Sequence, residues 1–482
     1  MQTAGQEYPA TLVPDPARWW GMAEVVRFSV PAVLNTVSLS LMQFVDGLMV
    51  SMVNPESMAA QSVGGLTSFV PVSFFMGLLS CVSTFASQNL GAGRPEQAAR
   101  YGWQGFWMSW LAAAALALLI WPAPWLFGLY GHEPQLVALE SQYFRILIAG
   151  AGFSMTSAAL GSFFLGVHKP GVPLAAGVAG NAVNFVAAYV LIFGKLGMPQ
   201  LGLVGAGLAS VIGSAVQAAI LFGLFVGGHY ARKFEVRRQW RLAWSAMADL
   251  LRLGSPAGAM FLGDILMWAI FMGAVIGGFG LVDLAAGAIL FRYWQFCFMP
   301  ALGVSAAATA IVGRYCGARQ PRLAWRRAHA ALLLVEAYMI GCGVLMWIFR
   351  DQLVTYFNET GDPLIQEAAT RVFIFLLLCQ AFDALNVIFI GALRGAGDTL
   401  WPGILQMALA YGLGLGGSAL VAWQWPEWGS FGPWTVASAY ICILGLVMWI
   451  RFLRGKWRTM AVVVQPVPAP VLSDEAGLLP PT

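Results

Sequence analysis

The stretch FASQNLGAGRPEQAARYGW (residues 85–103) returns in altered form as AIVGRYCGARQPRLAWRRA (310–328). Each joins the end of one long apolar run to the start of the next through a short Gly-, Arg- and Pro-containing connection. At an offset of 226, Gly91 matches Gly317, Pro95 matches Pro321, and Ala59-Ala60 match Ala285-Ala286. At an offset of 225, Pro31 pairs with Pro256, Gly166 with Gly391, and Lys169 with Arg394. A nearly constant spacing across this much chain implies an internal duplication.

The rest of the chain says what was duplicated. Of 482 residues, 59% are hydrophobic and 10% charged, with a mean hydropathy of +0.72. A soluble chain carries roughly 25% charged residues. Apolar runs of roughly 20–28 residues recur between short polar connections, and each can cross a hydrocarbon core of about 30 Å. The runs are continuous rather than alternating, which excludes a lipid-facing barrel. Twelve spans are predicted, near 28–53, 59–89, 102–127, 138–166, 170–194, 202–228, 254–279, 284–313, 328–349, 366–393, 400–423 and 432–453. The fold class is therefore an all-α polytopic membrane protein.

Six spans per repeat is an even number, so both halves face the same way, related by a pseudo-twofold axis along the membrane normal. The expected organisation is a cytoplasmic tail (1–24), a six-helix lobe (25–228), a basic linker (229–253), a second lobe (254–455) and a disordered tail (456–482). The first tail has no basic-apolar-small pattern of a cleaved signal. It is expected to end in an interfacial helix carrying Trp19 and Trp20. Of the 26 basic residues, all but Arg145, Lys195, Arg292, Arg350 and Arg371 fall in the tails, in loops after even-numbered spans, or at the flanking helix ends. That bias predicts an inner-membrane protein with both termini in the cytoplasm. It also accounts for the cluster Arg232, Lys233, Arg237, Arg238 and Arg241 without a nucleic-acid partner. The six cysteines lack CxxC spacing and read as small buried hydrophobes. The four histidines form no metal-ligand pattern, and no set of catalytic residues suggests an enzyme.

Four segments carry a resemblance: QFVDGLMV (43–50), SQNLGAGRPEQAAR (87–100), LGLVGAGLAS (201–210) and GALRGAGDTLWP (391–402). In order and spacing, over roughly residues 25–455, the chain resembles the multidrug and toxic compound extrusion (MATE) family, in its NorM-like branch. The resemblance implies two six-helix lobes around a V-shaped cleft. It also implies export of organic cations and other amphiphiles in exchange for inward Na⁺ or H⁺, with no resident cofactor. Small-molecule substrates and membrane lipid are the expected partners, and a monomer the expected state.

A carboxylate at mid-membrane costs about 2.5–3.5 kcal/mol on insertion scales, so each requires a reason. Asp264 lies in SPAGAMFLGDILMW (255–268) and Asp383 in LLLCQAFDALNV (376–387). Gln380 and Asn386 flank Asp383 at helical spacing, on roughly one face. The resemblance implies that acids at these two positions bind the coupling cation in the second lobe. Hard oxygen ligands suit Na⁺ as the metal, and paired buried carboxylates equally suit a proton. The competing reading is a packing salt bridge from Asp264 or Asp383 to Arg292, a basic residue inside the eighth span. Arg292 departs from the family pattern, and as a cleft residue it would narrow the site or favour less cationic substrates.

Asp46 matches the family's first-span aspartate, implicated in proton or Na⁺ coupling in the first lobe. Asn35 lies about three helical turns before it, on the same side. Relatives often complete this site with an Asn in the fifth span and an Asn or Asp four residues later; here those positions hold Asn184 and Ala188. Asn181 sits one turn before Asn184, and Ser210 falls where relatives often carry Thr. Asn181 and Asn184 read equally well as interhelical hydrogen-bonding groups. Lys169, Arg394 and Asp398 are read as structural or gating residues at the cytoplasmic ends, and Glu336 as one more membrane acid. Two functions remain in view: an ion-coupled antiporter, and a flippase for lipid or lipid-linked oligosaccharide, which would carry a more basic centre.

Overall fold

The computed structural model describes residues 21–358, 361–460 and 462. The expected N-terminal tail with Trp19 and Trp20, and the chain beyond 462, lie outside the described residues. Within them are twelve helices long and apolar enough to cross a membrane. They are α1 (Met22–Ser51), α2 (Pro55–Gly91), α3 (Pro95–Ile120), α4 (Pro134–Gly166), α5 (Gly171–Phe193), α6 (Leu203–Val226), α7 (Trp244–Phe279), α8 (Leu281–Gly317), α9 (Pro321–Ile348), α10 (Pro363–Ala396), α11 (Leu400–Gln424) and α12 (Phe431–Leu453).

The repeated landmarks are helix boundaries. Pro95 and Pro321 both sit in the first turn of their helices. There the missing N–H is harmless and the fixed φ favours a helix start. Pro55 and Pro363 do the same for α2 and α10, where Asn54 and Asp362 cap the next amides at 2.6 and 2.9 Å. Pro31 and Pro256, equivalent by the offset of 225, instead lie inside α1 and α7. A mid-helix proline frees carbonyl groups in the preceding turn. Leu253, just ahead of Pro256, has its carbonyl taken by the Thr399 hydroxyl at 2.7 Å.

Two boundaries differ from expectation. The helix of α7 begins at Trp244 rather than near 254, because Met247 and Leu250 are buried in the core of the first half. Lys456–Thr459, placed in the disordered tail, form a helical turn. Its Trp457 stacks on Phe452 at 4.8 Å and donates its indole N–H to the Phe452 carbonyl.

The two halves exchange helix ends. Met247, Leu250 and Ala257 of α7 are buried in the aromatic core of the first half, with Phe85, Phe163 and Phe225. Reciprocally, Val25 of α1 is buried in the core of the second half, with Phe28 and Val33 packed against it. The contacts obey the repeat. A β-carbon on Gly77 of α2 would stand 2.7 Å from the Ala257 carbonyl oxygen, and one on the equivalent Gly303 of α8 would stand 2.7 Å from Val33 Cα. Gly91 and Gly317, ending α2 and α8, each face the other helix's backbone closely enough that a β-carbon would overlap it.

Candidate functional site

In the second half, Asp383 of α10 is buried at 4% exposure, and its Oδ2 accepts a hydrogen bond from Trp294 Nε1 of α8 at 3.0 Å. Trp294 also packs edge-on against Trp268 of α7, with centroids 5.2 Å apart. Trp268 lies one turn after Asp264, so a single indole links the two acid-bearing helices. Asp264 is half-buried, within range of the Asp383 charge. Tyr440 of α12 is buried within range of both carboxylates. Tyr411 of α11 reaches the same place and donates to the Gly263 carbonyl at 3.0 Å. Gln380 Oε1 and Asn386 Oδ1 are buried with no hydrogen-bond donor among the described residues. The constellation is rich in oxygen and poor in positive charge. That donor set fits Na⁺ or a proton, and it does not fit a soft transition metal.

The salt-bridge reading of Arg292 fails. Arg292 is exposed and lies over the ring of Phe357 at 5.3 Å, and it forms none of the ion pairs among the described residues. The reason is helical phase. Residues two positions apart on a helix are about 200° apart at 3.6 residues per turn, so with Trp294 turned to Asp383, Arg292 faces the other way.

In the first half, α1 and α5 run side by side with a polar ladder between them. Asn35 Oδ1 faces Gly177, and Asn181 Nδ2 donates to Ser38 Oγ at 2.8 Å. Asn184 Nδ2 stands 3.5 Å from Asp46 Oδ2, a long contact. Asp46 is 7% exposed, and Ser210 of α6 is also in hydrogen-bond reach of it. The structure thus joins Asp46, Asn184 and Ser210, and assigns Asn181 to Ser38 instead. Ala188 is buried beside them and supplies no ligand. Glu336 of α9 has no hydrogen bond or ion pair among the described residues.

The end bearing the basic connections is sealed across the halves. Glu24 of α1 pairs with Arg327 of α9 at 2.6 Å and accepts from Tyr315 of α8 at 3.0 Å. Thr84 donates to the Arg394 carbonyl at 3.0 Å, and Arg394 reaches Ser80 at 3.2 Å. Gln88 donates to the Gly395 carbonyl at 2.9 Å and accepts from the Val462 amide at 2.8 Å. Asp398 pairs with Arg451 at 2.8 Å. Arg394 thus joins the two halves, whereas the Asp398 pair lies within the second half. His168, between α4 and α5, packs edge-on against Phe28. Burial, with Arg314 and Lys169 nearby, pushes its imidazole down to about 3.

Sequence reasoning missed Trp294, Tyr411 and Tyr440, because an aromatic inside an apolar run gives no sign of a polar partner on another helix. It also passed over Glu140 of α4, fully buried and paired with His132 at 2.9 Å. That residue was detectable as a carboxylate near the start of the predicted span 138–166.

Two stretches of the chain, residues 31–190 and 259–420, match the MatE family model. A protein of Mesorhizobium japonicum named "Probable multidrug resistance protein NorM" is 28% identical over 433 residues, covering 88% of this chain and 92% of its own. One of the same name from Brucella suis is 26% identical over 456 residues, covering 92% and 96%. Among solved structures, one described as the outward-facing conformation of a multidrug resistance MATE family transporter of the MOP superfamily superposes with a TM-score of 0.82. It is 21% identical, covering 90% of this chain and 95% of that one. A eukaryotic MATE transporter superposes with a TM-score of 0.81 at 17% identity, covering 91% and 97%.

Proposed function

This chain belongs to the MatE family, whose members are transporters rather than enzymes, and from that premise we propose that it exports cationic amphiphiles in exchange for Na⁺ or H⁺. The observation that carries the reading is Asp383: a buried carboxylate held by Trp294, beside Asp264 and two oxygens with no donor among the described residues. Two carboxylates sharing a site favour a bound cation or proton between them. The names of the relatives support multidrug export as the cargo side of the exchange.

Positive-inside bias puts the sealed end in the cytoplasm. The Glu24–Arg327 and Gln88–Gly395 contacts then hold the transporter in the state that offers its substrate outward. An ion arriving from outside neutralises Asp383 and Asp264, and coupling follows if ion and substrate exclude each other, so that the carrier returns inward with the ion bound and the substrate released. Asp46, with Asn184 and Ser210, is a second protonatable site in the first half. Its shell is thinner, since Ala188 replaces a ligand. Arg292, the residue that leaned toward an anionic lipid-linked cargo, lies over Phe357 and not beside the acid pair, which supports the antiporter reading over the flippase one.

The test is efflux of a cationic dye from proteoliposomes, driven separately by a Na⁺ gradient and by a pH gradient. Transport under one of them, lost in Asp383→Asn, is expected. Transport under neither would overturn the antiporter reading.

A further inference from the structure

We propose that the outer face of α3 and α6 holds one anionic phospholipid, with an acyl chain in an aromatic groove and its phosphate against Arg237 and Arg241. A groove of about 550 Å³ is lined by Trp103, Phe106, Trp107, Trp110, Phe222 and Trp240, with no polar side chain in its wall. From Trp103 to Trp110 it follows α3 for about 10 Å at 1.5 Å per residue. A lining of rings alone selects an apolar chain.

The polar end is built by the linker between the halves, which is fastened to α3. Trp103 Nε1 donates to the Val236 carbonyl at 2.8 Å, and Trp107 Nε1 donates to the Trp240 carbonyl at 2.9 Å. Gln104 donates to the Arg241 carbonyl at 3.2 Å and accepts from the Ala243 amide at 3.1 Å. The same indoles therefore line the groove and hold the linker at its mouth. Arg237 is held through its Nε to the Val226 carbonyl at 2.9 Å, one turn beyond Phe222 on α6. Its side chain is exposed, as is that of Arg241, the neighbour of Trp240. Arg238 is paired with Glu235 at 3.1 Å, whereas Arg237 and Arg241 form none of the ion pairs among the described residues, and Arg241 directly follows the groove residue Trp240.

Positive-inside bias explains basic residues in this loop but not their fixation at one end of an aromatic trough. An apolar slot ending in guanidinium groups at the membrane surface fits a chain joined to a phosphate. A cationic drug would be repelled at the same place. The inference stands apart from the transport reading and uses none of the coupling residues.

The full chain, purified and delipidated, is titrated with phosphatidylglycerol or phosphatidylcholine of identical acyl chains, and bound lipid is counted by native mass spectrometry. One phosphatidylglycerol is expected to be retained on the order of tenfold more tightly than phosphatidylcholine. In Arg237→Gln/Arg241→Gln, two exposed changes, that preference is expected to vanish while the helix content read by circular dichroism is kept. Trp110→Ala is expected to weaken both lipids alike. Equal retention of the two lipids by the native chain, or an undiminished preference in the double variant, would overturn the proposal.

Discussion

Gly91 and Gly317 face one another's helices across the pseudo-twofold axis: a β-carbon on Gly91 would overlap the Arg314 carbonyl oxygen, and one on Gly317 the Gln88 carbonyl oxygen. Both obstacles are backbone, which cannot rotate aside. Gly91→Ala and Gly317→Ala should therefore each force α2 from α8, at an overpacking cost of about 1–3 kcal/mol. Melting in detergent checks this, with Gly223→Ala, which meets nothing within 4 Å, as the unaffected control.

Glu24→Gln removes a carboxylate that pairs with Arg327, whose side chain is 1% exposed. Breaking a buried pair from one side costs on the order of 3 kcal/mol. Cys81, buried between α2 and α7, reports the loosening. In a variant keeping only this cysteine, its reaction with a permeant maleimide should accelerate; an unchanged rate would show that the ion pair does not hold the seal.

Trp294→Phe keeps the ring but removes the hydrogen bond to Asp383. A bond to a charged group is worth about 1.5–3 kcal/mol and favours the free carboxylate, so without it the proton concentration for half-maximal efflux should fall by about tenfold or more. Asp383→Asn should abolish ion-driven efflux while leaving insertion intact, and full efflux by that variant would sink the coupling assignment.

Asp46→Asn should reduce efflux more mildly, because Asn184 stands at 3.5 Å and Ala188 adds no ligand. Efflux rates of Asp46→Asn and Asp383→Asn, measured side by side in proteoliposomes, separate the two halves. An equal and complete loss would give them equal weight.

His168 sets an acid limit. Its folded value is depressed to about 3 from the 6.5 of a free imidazole, so the unfolded chain binds the extra proton between those values. Stability then falls as pH drops from about 6.5 toward 3 and is flat above. Melting curves at pH 7 and pH 5 should differ by several degrees in the native chain and by less in His168→Asn. Asparagine tolerates the φ of 60° found there.

The architecture was legible because membrane spans are written in long local runs and duplication is written in spacing. Pro95 and Pro321 could be matched by offset before their place in a first turn was known. Asp264, Asp383 and Asp46 stood out because a carboxylate in an apolar run is costly. What the sequence withheld depends on helix rotation and on distant pairing. Nothing near Trp294 reveals that its indole meets a residue 89 positions later, and nothing near Arg292 shows that it points away. The early start of α7 was hidden for the same reason: Met247 and Leu250 are buried by the other half of the molecule.

That burial has a consequence for assembly. With the near end of α7 in the first core and the near end of α1 in the second, neither six-helix unit is finished by its own chain. Cut at the linker, the two pieces would have to find each other as an exchanged dimer, each donating a helix end. The tether converts that encounter into an intramolecular one at high effective concentration, so the joint between the duplicated units acts as their folding template.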